Sequence, residues 1–214
     1  LITQITVMIK NLVFDFGGVI ADIDKNKAIR AFKKLGMENI EDYIGLYAQK
    51  GIFLEVEDGQ ISDVSFCEKL SDVVGRKLSY EEVKQAWLGF FVGIEEYRLD
   101  YIEKLRSQYN LYILSNTNPF VQSWAQSTEF SSKGRSLRDY FDEIYTSYEI
   151  GYIKPAPEIF KYMIKDANLV PEETLFIDDG ASNIKIAKEL GFQTYLVAEG
   201  EDWRDNITQL LGTI

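Results

Sequence analysis

Short apolar runs that each end on a polar residue, with helical patterns between them, restrict this chain more than any other feature. Leu12-Val13-Phe14 runs into Asp15 and is broken by Gly17-Gly18, as a buried parallel strand ending at a turn would be. Leu111 to Leu114, Thr174 to Ile177 and Thr194 to Val197 read the same way, and Glu143 to Thr146 is a weaker fifth run. Helical periodicity falls between them, over 96–108, 157–167, 183–190 and 203–211. This alternation predicts an α/β fold, a Rossmann-like parallel sheet with helices on both faces.

Residues 24–92 read differently. Helical stripes run through Ala28, Phe32 and Leu35, through Val64, Cys67, Leu70 and Val74, and through Val83, Trp87, Phe90 and Phe91. No strand signal competes strongly, and the first proline of the chain is Pro119, which suits an all-helical stretch. The expected organisation is therefore an α/β core, 1–23 and 93–214, with an inserted helical cap domain, 24–92.

Composition removes whole classes of chemistry. There is no histidine among the 214 residues, so Ser-His-Asp hydrolases and most zinc hydrolases are excluded. The single cysteine, Cys67, permits no intrachain disulfide, and Val73 stands where a thiol phosphatase would need arginine; buried filler is the better reading. Neither a dinucleotide nor a Walker-type glycine motif occurs. Net charge is -11, with no Lys/Arg block, so neither nucleic acid nor an anionic membrane is an expected partner. No apolar run approaches the roughly 18 residues that span a bilayer. The opening segment has no basic region or small-residue cleavage site, and Met8 is a candidate start; a cytoplasmic enzyme is the expectation. Catalysis must then rest on carboxylates, hydroxyls, amides, Lys or Arg, with an oxygen-liganded ion such as Mg²⁺.

In open α/β sheets ligands bind at the carboxyl ends of the strands. Asp15, Ser115-Asn116-Thr117-Asn118, Lys154 and Asp178-Asp179 all fall at or after such ends. In order and type they resemble the four motifs of the haloacid dehalogenase superfamily. The first is Val13-Phe14-Asp15-Phe16-Gly17-Gly18-Val19, the second Leu111 to Asn116, the third Lys154 within Gly151 to Pro155, and the fourth Phe176-Ile177-Asp178-Asp179 with Asn183 beyond. Asp15 to Val19, Ile20 to Asp24, Leu114 to Asn118 and Lys154-Pro155 look further like a bacterial subgroup that includes an α-D-glucose-1-phosphate phosphatase.

The resemblance implies a Mg²⁺-dependent phosphatase acting on a small phosphorylated metabolite, in which sugar phosphates are included. Asp15 would attack phosphorus to form an aspartyl-phosphate, splitting one difficult step into two. Ser115 and Lys154 are the other catalytic candidates. Phe16, Gly17, Ser115, Asn116 and Lys154 form the expected phosphate-binding set, with Lys154 a fixed positive charge for the transition state. Asp15, Asp179 and the Gly17 carbonyl are the expected metal ligands; Asp178 ligates directly or through water, and Asn183 is a candidate for holding metal-bound water.

The chain departs from the family at Gly17, where most of its phosphatases carry an aspartate as general acid/base, worth roughly 10²–10⁴-fold. Three readings stay open. Asp22 or Asp24 replaces it, the substrate has less need of an acid, or the protein only binds. An anomeric phosphate, with its good leaving group, fits the second. Alternative functions are a non-catalytic phosphate-ligand binder, a sugar-phosphate mutase and a 2-haloacid dehalogenase. In the cap, Gly51-Ile52-Phe53, Glu57-Asp58-Gly59 and Trp87 to Phe91 are candidates to face the cleft, as are Trp124 and Arg135 beyond the second motif. Oligomeric state is not readable from the chain.

Overall fold

The computed structural model describes residues 8–45 and 49–212. Its main sheet is built from β1 (Asn11–Phe14), β4 (Asn110–Ser115), β5 (Glu143–Thr146), β6 (Thr174–Asp178) and β7 (Gln193–Leu196). These run in the order β5-β4-β1-β6-β7 and every pairing is parallel. The first strand among the described residues is thus the central one, flanked by the strands that carry Ser115 and Asp178. Because all five run the same way, their carboxyl ends share one edge of the sheet.

Strand alternation sorts the core into two faces. Leu12 and Phe14 join one buried cluster with Leu111, Ile113, Leu175 and Ile177, while Val13 joins Leu114 and Phe176 in the other. Helices α5 (Glu96–Leu105), α6 (Pro119–Ala125), α7 (Ser147–Ile150), α8 (Pro157–Asp166), α9 (Ala181–Glu189) and α10 (Arg204–Leu211) connect or follow the strands. Ile159, Phe160 and Met163 of α8 are fully buried on the Val13 face. Asn118 caps α6 by accepting from the Val121 N–H, with Pro119 opening the helix, as a first-turn proline can.

Between β1 and α5 the chain forms β2 (Ala21–Ile23), α1 (Lys25–Leu35), α2 (Ile52–Glu57), α3 (Asp63–Val74), α4 (Tyr80–Leu88) and β3 (Phe91–Ile94). Phe32, Phe53, Phe66 and Trp87, one from each of the four helices, meet with ring centroids 5.0–5.8 Å apart, an aromatic core with edge-to-face contacts. Phe66 also reaches Phe120 of α6 at 5.6 Å, so the helical layer rests on the sheet domain through rings.

Two details differ from the helical expectation. Phe91 belongs to a strand, because α4 ends before Gly89 and β3 pairs antiparallel with β2. On α3 the inward face is Phe66 and Leu70, while Val64 is 61% exposed and Cys67 half-buried; packing against the large Phe53 and Trp87 rings set the helix's rotation. Among the described residues no helix is long and apolar enough to cross a membrane.

Candidate active site

The loop after β1 turns back on itself. The Gly18 N–H donates to the Ala21 carbonyl, and those of Ile20 and Ala21 to Phe16. Gly18 has φ +78°, and a Cβ there would lie 2.2 Å from Asp179 Oδ2. Only glycine lets this turn lie against Asp179.

Lys154 is 2% exposed. Its Nζ lies 2.8 Å from Asp15 Oδ1 and 2.7 Å from Asp178 Oδ2, an ammonium held between two strand-end carboxylates. The second oxygen of Asp178 accepts from the Gly180 N–H at 2.7 Å and from Asn183 Nδ2 at 2.9 Å. Both Asp178 oxygens are therefore engaged, and the residue holds Lys154 and Asn183 in place. Asp15 Oδ1 also accepts from the Phe16 N–H at 2.7 Å. Carboxylate oxygens of Asp15, Asp178 and Asp179 all lie within 4.8 Å of one another.

With all three carboxylates ionised, Asp15, Asp178 and Asp179 against the one ammonium of Lys154 carry two negative charges in excess. Burial pushes the Asp15 carboxyl up to about 7, with Lys154 opposing and Asp178 and Asp179 adding to the rise. Asp179 is raised as well, by burial and then by Asp178. Burial works against the Lys154 ammonium, but Asp15 and Asp178 outweigh it and its pKa is raised, so it stays charged. A nucleophilic Asp15 must be ionised, and the donors present, hard oxygens with an anionic excess, fit a divalent cation such as Mg²⁺.

The β4 end adds a clamp. Asn116 Nδ2 donates to the Lys154 carbonyl at 2.9 Å, and Asn116 Oδ1 accepts from the Lys154 N–H at 2.7 Å. Ser115 is 2% exposed, and among the described residues its hydroxyl makes only a long 3.4 Å contact to the Asn116 carbonyl, leaving it able to turn to a phosphoryl oxygen. A single cavity is lined by Asp15, Gly17, Ser115, Lys154 and Asp179, and by Glu57 from the cap.

The description of the haloacid dehalogenase-like hydrolases matches residues 9–191. The chain belongs to that family. A D-ribitol-5-phosphate phosphatase from Bacteroides thetaiotaomicron is 56% identical over 206 residues, covering 96% of this chain and 100% of that protein. A haloacid dehalogenase-like hydrolase from Porphyromonas gingivalis has the same fold at a TM-score of 0.91 and 44% identity, over 96% of this chain and 98% of that one. A further family enzyme from Bacteroides thetaiotaomicron, solved in complex with magnesium and inorganic phosphate, matches at a TM-score of 0.84 and 42% identity, over 91% and 97% of the two chains.

As a haloacid dehalogenase-like hydrolase the chain differs from the sequence expectation at four points. Asp22 does not reach the cavity; its Oδ1 accepts from Arg98 at 2.7 Å, the buried guanidinium having drawn it aside. Asp24 caps α1, accepting from the N–H groups of Asn26 and Lys27. Neither is placed to act as acid or base. Phe16 and Asn116 both line the cavity; the Phe16 N–H donates to Asp15 Oδ1, and one N–H of the Asn116 side-chain amide donates to the Lys154 carbonyl. Trp124 packs against Phe16, Phe91 and Phe130, and Arg135 pairs with Glu103; both stay off the cavity wall.

From the cap, Glu57, Trp87, Phe90 and Phe91 do line the cavity, whereas Gly51, Phe53, Asp58 and Gly59 do not. Glu57 is buried at the carboxyl end of α2, its carboxyl pushed up to about 8 by burial, with a side-chain hydrogen bond to Asn118 working the other way. Gln49 also lines the cavity, and no pattern in the sequence marked it.

Proposed function

We propose that this haloacid dehalogenase-like hydrolase is a Mg²⁺-dependent phosphatase of small polyol or sugar phosphates, working through an aspartyl-phosphate on Asp15. The observation that carries the reading is Lys154, buried between Asp15 and Asp178 with Asp179 alongside. The match to an enzyme solved with magnesium and inorganic phosphate supports the same chemistry.

Asp15 and Asp179, with the Gly17 carbonyl, would hold Mg²⁺, which when bound supplies positive charge for the attacking carboxylate and a phosphoryl oxygen. Lys154 keeps Asp15 oriented through Oδ1 and faces the site as a fixed cation. Asp15 attacks phosphorus, the ester oxygen departs with its electron pair and takes up a proton from water, and a second water then attacks the aspartyl-phosphate, releasing inorganic phosphate and the free Asp15 carboxylate. Ser115 binds a phosphoryl oxygen. Asn116 sets the height of Lys154 above the sheet edge. Residues 24–92 act as a cap on a core formed by 1–23 and 93–214, closing over the cleft and limiting water.

The relative at 56% identity is named for D-ribitol 5-phosphate, an open-chain pentitol ester and not an anomeric phosphate. We take a pentitol or pentose phosphate as the substrate class. Turnover assayed with Mg²⁺ on D-ribitol 5-phosphate, pentose 5-phosphates, α-D-glucose 1-phosphate and p-nitrophenyl phosphate tests the reading. Hydrolysis led by a pentitol or pentose ester is expected; no phosphate release from any ester would overturn it.

A further inference from the structure

Three buried polar groups on the cap side of the cavity are not used by the phosphoryl chemistry. Trp87 is 1% exposed and its indole Nε1–H has no hydrogen-bond partner among the described residues. Gln49 Oε1 is likewise buried and without a partner among them. Glu57 is buried in the same wall, and the bond assigned to its carboxyl goes to Asn118. All three residues line the cavity that holds Asp15 and Lys154. Buried polar atoms are normally paired, and one left unpaired costs stability, so two on one cavity wall call for a ligand.

We infer that Gln49, Glu57 and Trp87 form the subsite that reads the hydroxyl groups of the substrate's carbon chain, a neutral polyhydroxylated tail carried by the phosphate. This rests on the phosphatase reading and deepens it. A hydroxyl both donates and accepts, and Trp87 carries an unpaired donor and Gln49 an unpaired acceptor among the residues of this wall. Burial keeps the Glu57 carboxyl protonated at neutral pH, where it too can donate and accept without repelling a phosphate dianion. Among the described residues no cationic side chain other than Lys154 lines the cavity, so a second anionic group on the tail finds no counter-charge among them. The rings of Phe90 and Phe91 and the side chain of Ile23 supply apolar wall for the C–H faces of the chain. Discrimination of this kind is strong because a substrate lacking the hydroxyls leaves the buried groups unpaired.

The test compares Trp87→Phe, Glu57→Leu and Glu57→Gln with the wild type on D-ribitol 5-phosphate, pentyl phosphate and p-nitrophenyl phosphate, with Mg²⁺ and with circular dichroism to confirm folding. The wild type should prefer the pentitol ester to pentyl phosphate by at least about 100-fold in kcat/KM. Trp87→Phe and Glu57→Leu should each shrink that preference about tenfold, mainly through KM, and Glu57→Gln should shrink it less. A preference unchanged in every folded variant overturns the inference. So does a Glu57 loss equal on both alkyl esters that spares p-nitrophenyl phosphate, which would make Glu57 the proton donor to the leaving oxygen. Wild-type protein inactive on all three substrates would instead sink the phosphatase reading itself.

Discussion

Asn116 grips the backbone of Lys154 with both ends of its amide, Nδ2 donating to the carbonyl at 2.9 Å and Oδ1 accepting from the N–H at 2.7 Å. The Lys154 Nζ in turn touches Asp15 and Asp178, so a side chain at the end of β4 fixes the ammonium that steadies the nucleophile after β1. Asn116→Ala removes both bonds and should lower kcat about 10–100-fold with a smaller change in KM, the size expected when a charge is misplaced by about an ångström. Steady-state kinetics beside a thermal melt check it. A fall in melting temperature with kcat intact would show that the clamp serves stability alone.

Asp15→Asn keeps the shape and removes the nucleophilic charge. Turnover should drop by at least about 10⁴-fold, the scale seen when a covalent nucleophile is lost. Acid-quenched wild type should carry a phosphoryl group on Asp15, detectable by mass spectrometry, and the variant should carry none.

Chelation should abolish phosphatase activity and added Mg²⁺ restore it, which separates this chemistry from metal-free carbon–halogen hydrolysis. Asp179→Asn should raise the Mg²⁺ concentration for half-activity by at least about tenfold. Gly18→Ala should do the same by steric means, since its Cβ would sit 2.2 Å from Asp179 Oδ2. A Mg²⁺ titration of each variant reads this directly.

Glu57 makes a pH-dependent contribution to stability. Its carboxyl titrates near the ordinary value of 4.5 when unfolded and is pushed up to about 8 by burial. The unfolded chain therefore gives up that proton first as pH rises. The stabilising contribution is fully present below pH 4.5 and is lost as pH climbs through about 8, a swing on the order of a few kcal/mol. Glu57→Gln cannot titrate, so its melting temperature should fall less than that of the wild type between about pH 5 and about pH 8.5. Parallel falls in the two proteins would remove Glu57 as the cause.

Asp22→Asn should leave kcat within about twofold, because the side chain faces Arg98 and not the cavity, so it lends the reaction none of the acid/base help that is worth orders of magnitude. Its effect should be on stability, since Arg98 is buried and loses a charged acceptor, costing about 1–3 kcal/mol. A large loss of kcat without unfolding would return Asp22 to the chemistry.

The strands and the core helices were legible because they are written in local patterns. Leu12 to Phe14 and Thr174 to Ile177 lie inside β1 and β6, and the expected helices at 157–167 and 183–190 agree with α8 and α9 to within two residues at each end. Legibility faded in 24–92, where apolar residues are dense enough to suggest more than one helical face. Val64 fits the apolar stripe on α3 yet is exposed, and Phe91 continues a helical pattern yet pairs in β3. Rotation and pairing there depend on rings contributed by four separate helices, which no window of sequence contains.

The sequence by itself determined the parallel α/β layering and the polar strand ends at Asp15, Ser115 and Asp178, because side-chain periodicity and chain reversal are properties of neighbouring residues. Only the tertiary structure decided which groups are free to act. Asp22 is occupied by a guanidinium 76 positions away, Asn116 by a backbone 38 positions away, and Glu57 is brought to the cavity by a cap helix. A polar side chain's role is set by the partner it meets in three dimensions, and these partners lie far along the chain.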